Sequence, residues 1–495
     1  MIVTRLYNEK LAQASYLVGC AATGGAVVVD PCRDADEYMR VAEREGVKIT
    51  HVTETHIHAD FVSGARELAA RTGARLYLSD EGDVSWKYAF ANEDDAVLLK
   101  DGDIFMVGNV KVRAMHTPGH TPEHLAFVVT DTAAADRPMG VFTGDFIFVG
   151  DVGRPDLLEK AAGVTGTMEA AARTLFHSVQ RFKRELADYV QIWPGHGAGS
   201  ACGKSLGAVP QSTLGYERLF NWGLATENED EFVQAVLAGQ PEPPKYFAEM
   251  KRINRQGPRV LGGMPLPSRI PDVRLGELLD RDAMIIDTRS ADLFAAGHVP
   301  GTISIPLNRS FSTWAGWLTP YDREFYLIVD DECEHCLEEA VGDLTMIGLD
   351  RVAGYFGVDA IHAWSTHARP LQSVAMTTTL ELAAKVASGS VFVLDVRGRS
   401  EWEAGHLPGV KSSNGGTGVH IPVGYLTDRL DEIPRDRPVL VHCQSGSRSA
   451  IAASLLQAHG FSNVVNVPGG FSEWQAAGHP IEREGAAGDG ATAAA

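Results

Sequence analysis

Three side chains that can bind a metal ion alternate along one short stretch of the sequence. His56, His58 and Asp60 follow an apolar, strand-like segment that ends at Val52. In an extended chain, alternate side chains point to the same face, so all three donors are expected on one side. Burying two imidazoles and a carboxylate without a partner is costly, so this pattern predicts a metal site.

Three further segments end an apolar, strand-like run with a histidine or a carboxylate: residues 115–124 with His120, residues 142–145 with Asp145, and residues 193–197 with His196. Four such strand ends, in this order and spacing, are typical of the metallo-β-lactamase superfamily, which residues 1–240 resemble. The resemblance implies an αβ/βα sandwich with the metal at the edge where strand ends converge.

The residue after the motif aspartate departs from the pattern of the binuclear members of that superfamily. In those members it is a histidine that binds a second metal ion, whereas here it is Phe61, which has no donor atom. The resemblance therefore points to the persulfide dioxygenases, which hold a single iron. Residues 153–156 (Gly-Arg-Pro-Asp) and residues 194–204 also resemble bacterial persulfide dioxygenases.

This resemblance implies roles for individual residues. The metal ligands would be two histidines and a carboxylate, a set that suits one Fe(II) ion per chain: His56, His120 and Asp145. Residues around them would orient these ligands and their waters: His58, Asp60 and His196. The charged ends of glutathione would be held by Arg154, Asp156 and Lys204. The implied reaction converts glutathione persulfide, O2 and water to sulfite and glutathione.

The second half of the sequence contains an internal duplication. A strand ending in Asp-x-Arg is followed at the same spacing by Gly-His-x-Pro-Gly, first at 287–301 and again at 395–409. Both copies resemble the rhodanese domain, an α/β fold with a central, mostly parallel sheet. The predicted organisation is a first domain at 1–240, a linker or strap at 241–265, rhodanese-like domains at 266–368 and 379–482, a linker at 369–378, and a disordered tail at 483–495.

In the last domain, an apolar strand delivers Cys443 into a loop of six residues that ends at Arg448. Inward-facing backbone N–H groups, the next helix and Arg448 are expected to form an anion cradle around the sulfur. Such a cradle favours the thiolate and stabilises a sulfur-bound persulfide. We therefore expect Cys443 and Arg448 to be catalytic, transferring sulfur to or from sulfite and thiosulfate, and four residues to bind substrate: Gln444, Ser445, Gly446 and Ser447.

The first rhodanese-like copy lacks this chemistry. Alignment of the sequences puts Asp331 at the position of the nucleophile, and the glycine and arginine of the cradle are missing. We therefore expect residues 266–368 to be inactive in sulfur transfer. Cys333 and Cys336 flank His335 in a Cys-x-x-Cys pair, for which an ordinary solvated loop is favoured and a redox pair is left open.

The composition narrows the classes of partner and compartment. The 495 residues carry a formal net charge of −20, which argues against nucleic acid or an anionic membrane surface as a partner. A signal-like start and an apolar run of about 20 residues are both absent, and six cysteines are sparse, so a reducing cytoplasm is expected. The oligomeric state, the identity of the thiol carrier and the direction of sulfur transfer are left open.

Two other functions compete with this interpretation. The first is a zinc thioester hydrolase of glyoxalase II type fused to rhodanese, and Phe61 is the feature against it. The second is a non-enzymatic sulfur carrier or persulfide sensor. The intact Cys443 loop argues against a sensor for the whole chain, but not for residues 266–368.

Overall fold

The computed structural model describes residues 1–157, 159, 166–204, 206–240, 242–366, 369–413 and 416–484. The tail predicted to be disordered lies outside these residues from position 485 onward. The chain divides into two compact units. The first comprises Met1–Pro265 with Val341–Asp350, and the second comprises the described residues of Leu266–Ala340 and Arg351–Ala495. Among the described residues, no helix is long and apolar enough to cross a membrane.

The first unit contains two six-stranded sheets. In the first sheet the strands lie in chain order, antiparallel from β1 to β3 and parallel from β3 to β6. Its strands are β1 Ile2–Asn8, β2 Gln13–Cys20, β3 Gly25–Val29, β4 Lys48–Thr53, β5 Arg75–Ser79 and β6 Val97–Leu99.

The second sheet has the order β12-β11-β10-β9-β8-β7, and only its β10–β11 pair is parallel among the pairs in the described residues. Its strands are β7 Ile104–Val107, β8 Val110–His116, β9 Leu125–Asp131, β10 Gly140–Gly144, β11 Gln191–Pro194 and β12 Ser212–Thr213. The central strands β9 and β10 are buried almost throughout, because both faces of this sheet are covered.

The two sheets pack face to face, and helices cover their outer faces. One core cluster joins Val18 and Val27 of the first sheet to Val112 and Phe127 of the second. Two other clusters join each sheet to its helices. This αβ/βα sandwich confirms the predicted fold. The helices of the unit are Ala35–Arg44, Ala65–Thr72, Met168–Glu185, Leu214–Phe220, Trp222–Ala225, Glu229–Leu237 and Phe247–Gln256, with a 3-10 turn at Val84–Trp86.

The segment predicted as a linker or strap contains the helix Phe247–Gln256, which belongs to the first unit. Asn254 on this helix is buried, and its side-chain amide donates hydrogen bonds to the carbonyl oxygens of His58 and Phe61, at 2.8 and 2.7 Å. Its side-chain oxygen accepts from the backbone N–H of Ser63 at 2.9 Å. The helix therefore holds the loop that carries the His-x-His-x-Asp motif.

The second unit begins with a parallel four-stranded sheet of order β14-β13-β15-β16. Its strands are β13 Met284–Asp287, β14 Ile303–Ser304, β15 Phe325–Val329 and β16 Val352–Gly357. The strands β13 and β15 are almost wholly buried, as expected of the centre of a parallel sheet. The helices in this region are Arg274–Leu279, Ala291–Ala296, Phe311–Leu318, Cys336–Met346 and Asp359–Thr366.

A parallel six-stranded sheet of order β17-β22-β21-β18-β20-β19 follows. Its strands are β17 Ala375–Met376, β18 Phe392–Asp395, β19 Val410–Lys411, β20 Gly418–His420, β21 Val439–His442 and β22 Val464–Val467. The helices are Thr379–Ser388, Arg399–Ala404, Ser447–Ala458 and Gly470–Ala476, with 3-10 turns at Val423–Asp428 and Leu430–Glu432. The predicted α/β fold with a parallel central sheet is confirmed for this domain.

The register of the two sheets corrects the alignment of the two copies. Asp395 pairs with His442, so Cys443 is the next residue along its strand. The matching Asp287 pairs with Ile328, so the residue in the place of the nucleophile is Val329 and not Asp331. The alignment by sequence was wrong by two residues, because the loop that follows β15 is longer than the loop that follows β21.

Candidate functional site

The first unit brings together the three residues predicted to hold a metal ion. The side-chain donor atoms of His56, His120 and Asp145 all lie within 4.8 Å of one another, and each side chain is buried. The residues come from three separate strand ends, following β4, β8 and β10. Because the carboxyl ends of these strands meet at one edge of the sandwich, residues far apart in sequence form one cluster.

Hydrogen bonds at the far nitrogen of each ring fix how the histidines face the cluster. The Nδ1 of His120 donates to the carbonyl oxygen of Arg154 at 3.1 Å. The Nδ1 of His56 lies 3.0 Å from the hydroxyl of Thr55, which itself donates to Asp30 at 2.9 Å. These contacts leave both Nε2 atoms without a proton and free to bind a cation.

His58 has a different environment, although it alternates with His56 in sequence. Its Nε2 lies 3.1 Å from a carboxylate oxygen of Asp30, and its ring packs on Phe61 with centroids 4.4 Å apart. Burial opposes protonation of His58, but Asp30 outweighs it and raises the pKa of the imidazole to about 9. Asp30 engages only Nε2 of His58, whose Nδ1 is buried without a hydrogen-bond partner among the described residues, so the orienting role of His58 stays a prediction.

Asp30 is a supporting residue that sequence reasoning missed. It is buried, has a positive φ of 52°, and accepts a hydrogen bond from the backbone N–H of Thr55 at 2.6 Å. A left-handed backbone at a residue other than glycine is uncommon and often marks a functional site. The signal in the sequence was its place at the end of β3, next to the strand that carries the histidine motif.

The electrostatic environment keeps His56 and His120 neutral. Burial is the main cause, and for His56 the neighbouring imidazoles, first His58, lower the pKa further, to well below its usual value. Burial also lowers the pKa of His120, against the opposing effect of Asp145. Neutral imidazoles are the form that binds metal ions, so the protonation states suit a cation site.

A second donor cluster lies beside the first. The donor atoms of Asp60, His196 and Cys202 also lie within 4.8 Å of one another, and all three side chains are buried. Burial raises the pKa of the Cys202 thiol to about 12. The sequence predicted Asp60 and His196 near the metal, but Cys202 was overlooked, since five loop residues lie between it and His196.

Asp145 lies between the two clusters. One of its oxygens is 3.7 Å from Nε2 of His120, and the other is 3.4 Å from Nε2 of His196. Among the described residues, both oxygens of Asp145 and of Asp60 are buried without a hydrogen-bond partner, as is Nε2 of His196. Nε2 of His196 lies 3.1 Å from an oxygen of Asp60, and buried carboxylates normally also accept hydrogen bonds, so the missing hydrogen bonds fit a bound cation.

The three residues predicted to hold a charged substrate are engaged in other contacts. The guanidinium of Arg154 is fully buried and makes a two-pronged ion pair with Asp156, at 3.0 and 2.7 Å. The ammonium of Lys204 donates to the carbonyl oxygens of Ala235 and Ala238, at the end of the helix Glu229–Leu237. These contacts hold the loops around the metal cluster, and a contact of the three residues with substrate stays a prediction.

In the second unit, the end of β21 places Cys443 at the bottom of its predicted loop. The residue is 1% exposed, and the backbone N–H of Gly446 donates to its sulfur at 3.1 Å. Gly446 has a φ of +97°, a conformation in which a β-carbon would lie 2.5 Å from the carbonyl oxygen of Pro468. The helix Ser447–Ala458 begins directly after it, so its N-terminal amides face the sulfur loop.

Arg448 has a partner that the sequence did not suggest. Its guanidinium makes a two-pronged ion pair with Glu401, at 2.5 and 2.7 Å. Gln444 lies 3.5 Å from Arg397 and donates to the hydroxyl of Ser472 at 3.0 Å. Glu401 was missed because 47 residues separate it from Arg448 and a lone glutamate on a helix carries no signal.

The corresponding loop of residues 266–368 contains a disulfide. The loop is exposed to solvent, as the favoured interpretation expected, but Cys333 and Cys336 are bonded to each other, which that interpretation did not include. Val329 stands in the place of Cys443, and its side chain cannot accept sulfur. We still predict that residues 266–368 lack sulfurtransferase activity, but the reason is now Val329 and not Asp331.

Two known protein families match parts of this chain. The family described as metallo-beta-lactamase superfamily matches residues 9–196, and the rhodanese-like domain matches residues 378–477. A crystal structure of a metallo-beta-lactamase from Staphylococcus aureus is 44% identical. It covers 72% of this chain and 99% of its own, with a TM-score of 0.66.

Curated relatives are more distant. A probable polyketide biosynthesis zinc-dependent hydrolase, BaeB, from Bacillus velezensis is 24% identical over 43% of this chain and 85% of its own length. A hydroxyacylglutathione hydrolase from Rhodospirillum rubrum is 35% identical over 30% of this chain, which spans about half of that relative (52%). The family matches, the Staphylococcus structure and the sandwich fold agree, so the chain belongs to the metallo-β-lactamase superfamily and carries a rhodanese-like domain in its second half.

Proposed function

We propose that the first unit is a mononuclear non-haem iron persulfide dioxygenase and that the last domain is a sulfurtransferase. The substrate would be glutathione persulfide or a similar small persulfide, and the overall change is persulfide, O2 and water to thiol and sulfite. The observation that carries the proposal is the cluster of His56, His120 and Asp145, with donor atoms within 4.8 Å. Two imidazoles and one carboxylate are the ligand set of non-haem Fe(II) oxygenases.

The surroundings of this cluster support a single ion. Phe61, fully buried, packs against His58 where binuclear relatives have a second histidine ligand. The contact of Nε2 of His58 with Asp30 supports an orienting role for this histidine. Iron held by the three ligands would supply open coordination positions and also a change of redox state for O2 chemistry, which zinc cannot undergo.

The residues of the chain have defined tasks in this scheme. His56 and His120 present Nε2 because Thr55 and the carbonyl oxygen of Arg154 hold their opposite nitrogens. The carboxylate of Asp145 lies close to the backbone of Gly195, where a β-carbon would be 2.9 Å from its oxygen and would crowd it. The buried pair of Arg154 with Asp156 fixes the loop that supplies the contact with His120.

The last domain would handle the sulfane sulfur. The Cys443 thiolate takes the outer sulfur of a persulfide or of thiosulfate, which releases a thiolate or sulfite and leaves a Cys443 persulfide. Attack by sulfite on that outer sulfur returns thiosulfate and the free thiolate. The amide of Gly446 is placed to stabilise negative charge on the sulfur.

Oxygen consumption tests the proposal. The chain purified without oxygen should consume O2 when glutathione persulfide is added, and sulfite should accumulate. His120→Ala removes a ligand at the centre of the cluster, and we expect loss of metal and of oxygen uptake. Cys443→Ser is the matched control, because it lies in the other unit and should keep its oxygen uptake.

A second candidate function is supported by the cluster of Asp60, His196 and Cys202. With Asp145 between the clusters, these residues offer a place for a second ion, as a zinc thioester hydrolase requires. The similarity to a hydroxyacylglutathione hydrolase points the same way. Hydrolysis of S-lactoylglutathione, with no oxygen uptake on persulfide, would favour this hydrolase over the dioxygenase.

A further inference from the structure

The disulfide of the first rhodanese-like copy lies where the second copy has its reactive loop. The strands β15 and β21 occupy matching places, each between two parallel neighbours, and each runs into a loop that leads to a helix. After β15 the loop is residues 330–335, and after β21 it is residues 443–446. The longer loop carries Cys333, and Cys336 begins the helix.

We propose that Cys333 and Cys336 form a thiol–disulfide exchange site, an activity beyond the dioxygenase and sulfurtransferase chemistry. The pair is disulfide-bonded, whereas the four other cysteines of the chain are buried free thiols. Cys333 is solvent-exposed and Cys336 is half-buried. The bonded sulfurs are therefore the ones that a dissolved thiol reaches most directly.

The disulfide is expected to contribute little to the stability of the fold. The cross-link joins residues three apart, and the stabilisation from a disulfide grows with the length of the loop it closes. Backbone hydrogen bonds already shape the turn, from Cys333 N–H to Asp330 at 3.3 Å and from Glu339 N–H to His335 at 2.9 Å. A bond that adds little stability and faces solvent is suited to being opened and closed.

The two sulfurs differ in a way that sets the course of the exchange. Cys336 is the first residue of an eleven-residue helix, where the helix dipole stabilises a thiolate. A thiolate of an external dithiol therefore attacks the exposed sulfur of Cys333, and Cys336 leaves as a thiolate. The second thiol of the reductant then displaces Cys333. One dithiol is oxidised to a disulfide, and the protein disulfide is reduced to two thiols.

Charge around the pair favours some reductants over others. Residues 330–339 contain six carboxylates and no lysine or arginine. One of them, Asp331, lies 3.3 Å from the guanidinium of Arg269. The net negative charge repels glutathione more than dithiothreitol, because the attacking thiolate of glutathione carries one more negative charge than that of dithiothreitol. Salt screens this repulsion, so the rate with glutathione should rise with ionic strength.

Mass spectrometry of the full-length protein tests the proposal. After equilibration in mixtures of reduced and oxidised dithiothreitol, an acid quench and alkylation, Cys333 and Cys336 should gain label together and reversibly. The thermal midpoint should stay nearly unchanged on reduction. With oxidised glutathione, Cys336→Ser should accumulate a mixed disulfide on Cys333, severalfold more than Cys333→Ser accumulates on Cys336.

Three results would overturn the assignment. In the first, both cysteines stay alkylatable after treatment with oxidised dithiothreitol, so that no disulfide forms. In the second, reduction lowers the thermal midpoint by many degrees, which marks the bond as a structural cross-link. In the third, the two serine variants trap equal amounts of mixed disulfide while both keep the far-ultraviolet circular dichroism of the unmutated chain.

Discussion

The two parallel-sheet regions of the second unit, residues 266–368 and the rhodanese-like domain that follows, share a strand register but differ in the loop that follows the central strand. Both have a buried aspartate at the end of one strand, Asp287 or Asp395, opposite the residue that directly precedes the reactive position. In the second copy the next residue is Cys443 within a short loop, and in the first it is Val329 before a longer one.

The difference shows which part of the domain carries the chemistry. The scaffold is retained, including the ion pairs Asp287–Arg289 and Asp395–Arg397 with nearly identical distances. The loop differs in its chemistry, because an amide that faces a cysteine sulfur is present there in the second region only, among the described residues. Function in this fold therefore depends on the loop at the strand end, while the sheet and its ion pairs maintain the shape.

The largest effect is expected from Cys443→Ser. Loss of the nucleophile should lower thiocyanate formation from thiosulfate and cyanide by at least about a thousandfold. Residues 266–368 cannot replace it, because Val329 at the matching position is not a nucleophile. Initial rates at saturating thiosulfate measure this. Residual activity near one tenth would mean that residues 266–368 transfer sulfur after all.

A buried ion pair gives the next largest contrast. Asp395→Asn leaves Arg397, which is 1% exposed, without its carboxylate, and we expect a loss of about 3–5 kcal/mol in the free energy of unfolding. Asp287→Asn should cost less, since Arg289 is 12% exposed and water reaches it. Urea unfolding of both variants measures the difference, and equal losses would contradict this explanation.

The same carboxylate gives a dependence on pH. Burial alone would raise the pKa of Asp395, but His442 and Arg397 outweigh it and lower the pKa below its usual 3.8. Because the pKa of Asp395 is lower in the folded than in the unfolded state, its ionised form stabilises the fold at pH values above the unfolded-state pKa. This stabilisation is lost as the pH falls through the folded-state pKa. The stability gap between the unmutated chain and Asp395→Asn should therefore narrow below about pH 4.

A smaller effect is expected at Glu401, which holds the guanidinium of Arg448. Glu401→Gln removes the charge but keeps the shape, and we expect kcat for sulfur transfer to fall about tenfold, because Arg448 is no longer fixed beside the loop. Glu403→Gln is the matched control, since its ion pair with Arg399 is exposed. An equal fall in both variants would show that Glu401 has no special role.

Placing a thiol in residues 266–368 is expected to have no effect on sulfur transfer. Val329→Cys, combined with Cys443→Ser, should restore no thiocyanate formation, because the longer loop offers no amide equivalent to that of Gly446. Recovered activity would show that a missing cysteine alone explains the inactive copy.

The sequence predicted those features that depend on local pattern. The metal cluster of His56, His120 and Asp145 was found because each motif follows a strand and strand ends converge. The path of a loop cannot be predicted from local pattern, so Cys202 was overlooked. For the same reason Asp331 was assigned to the nucleophile position, which Val329 occupies. The Glu401–Arg448 pair and the Asp30 support depend on contacts between distant segments, which no local pattern encodes.

The number and identity of the metal ions test the proposed function most directly. Protein purified without oxygen should contain one iron per chain by elemental analysis. His120→Ala should lose it, whereas Cys202→Ser should keep it, since the thiol belongs to the neighbouring cluster. Two zinc ions per chain, with one of them lost in Cys202→Ser, would contradict the mononuclear dioxygenase and establish a binuclear centre at the two adjoining clusters.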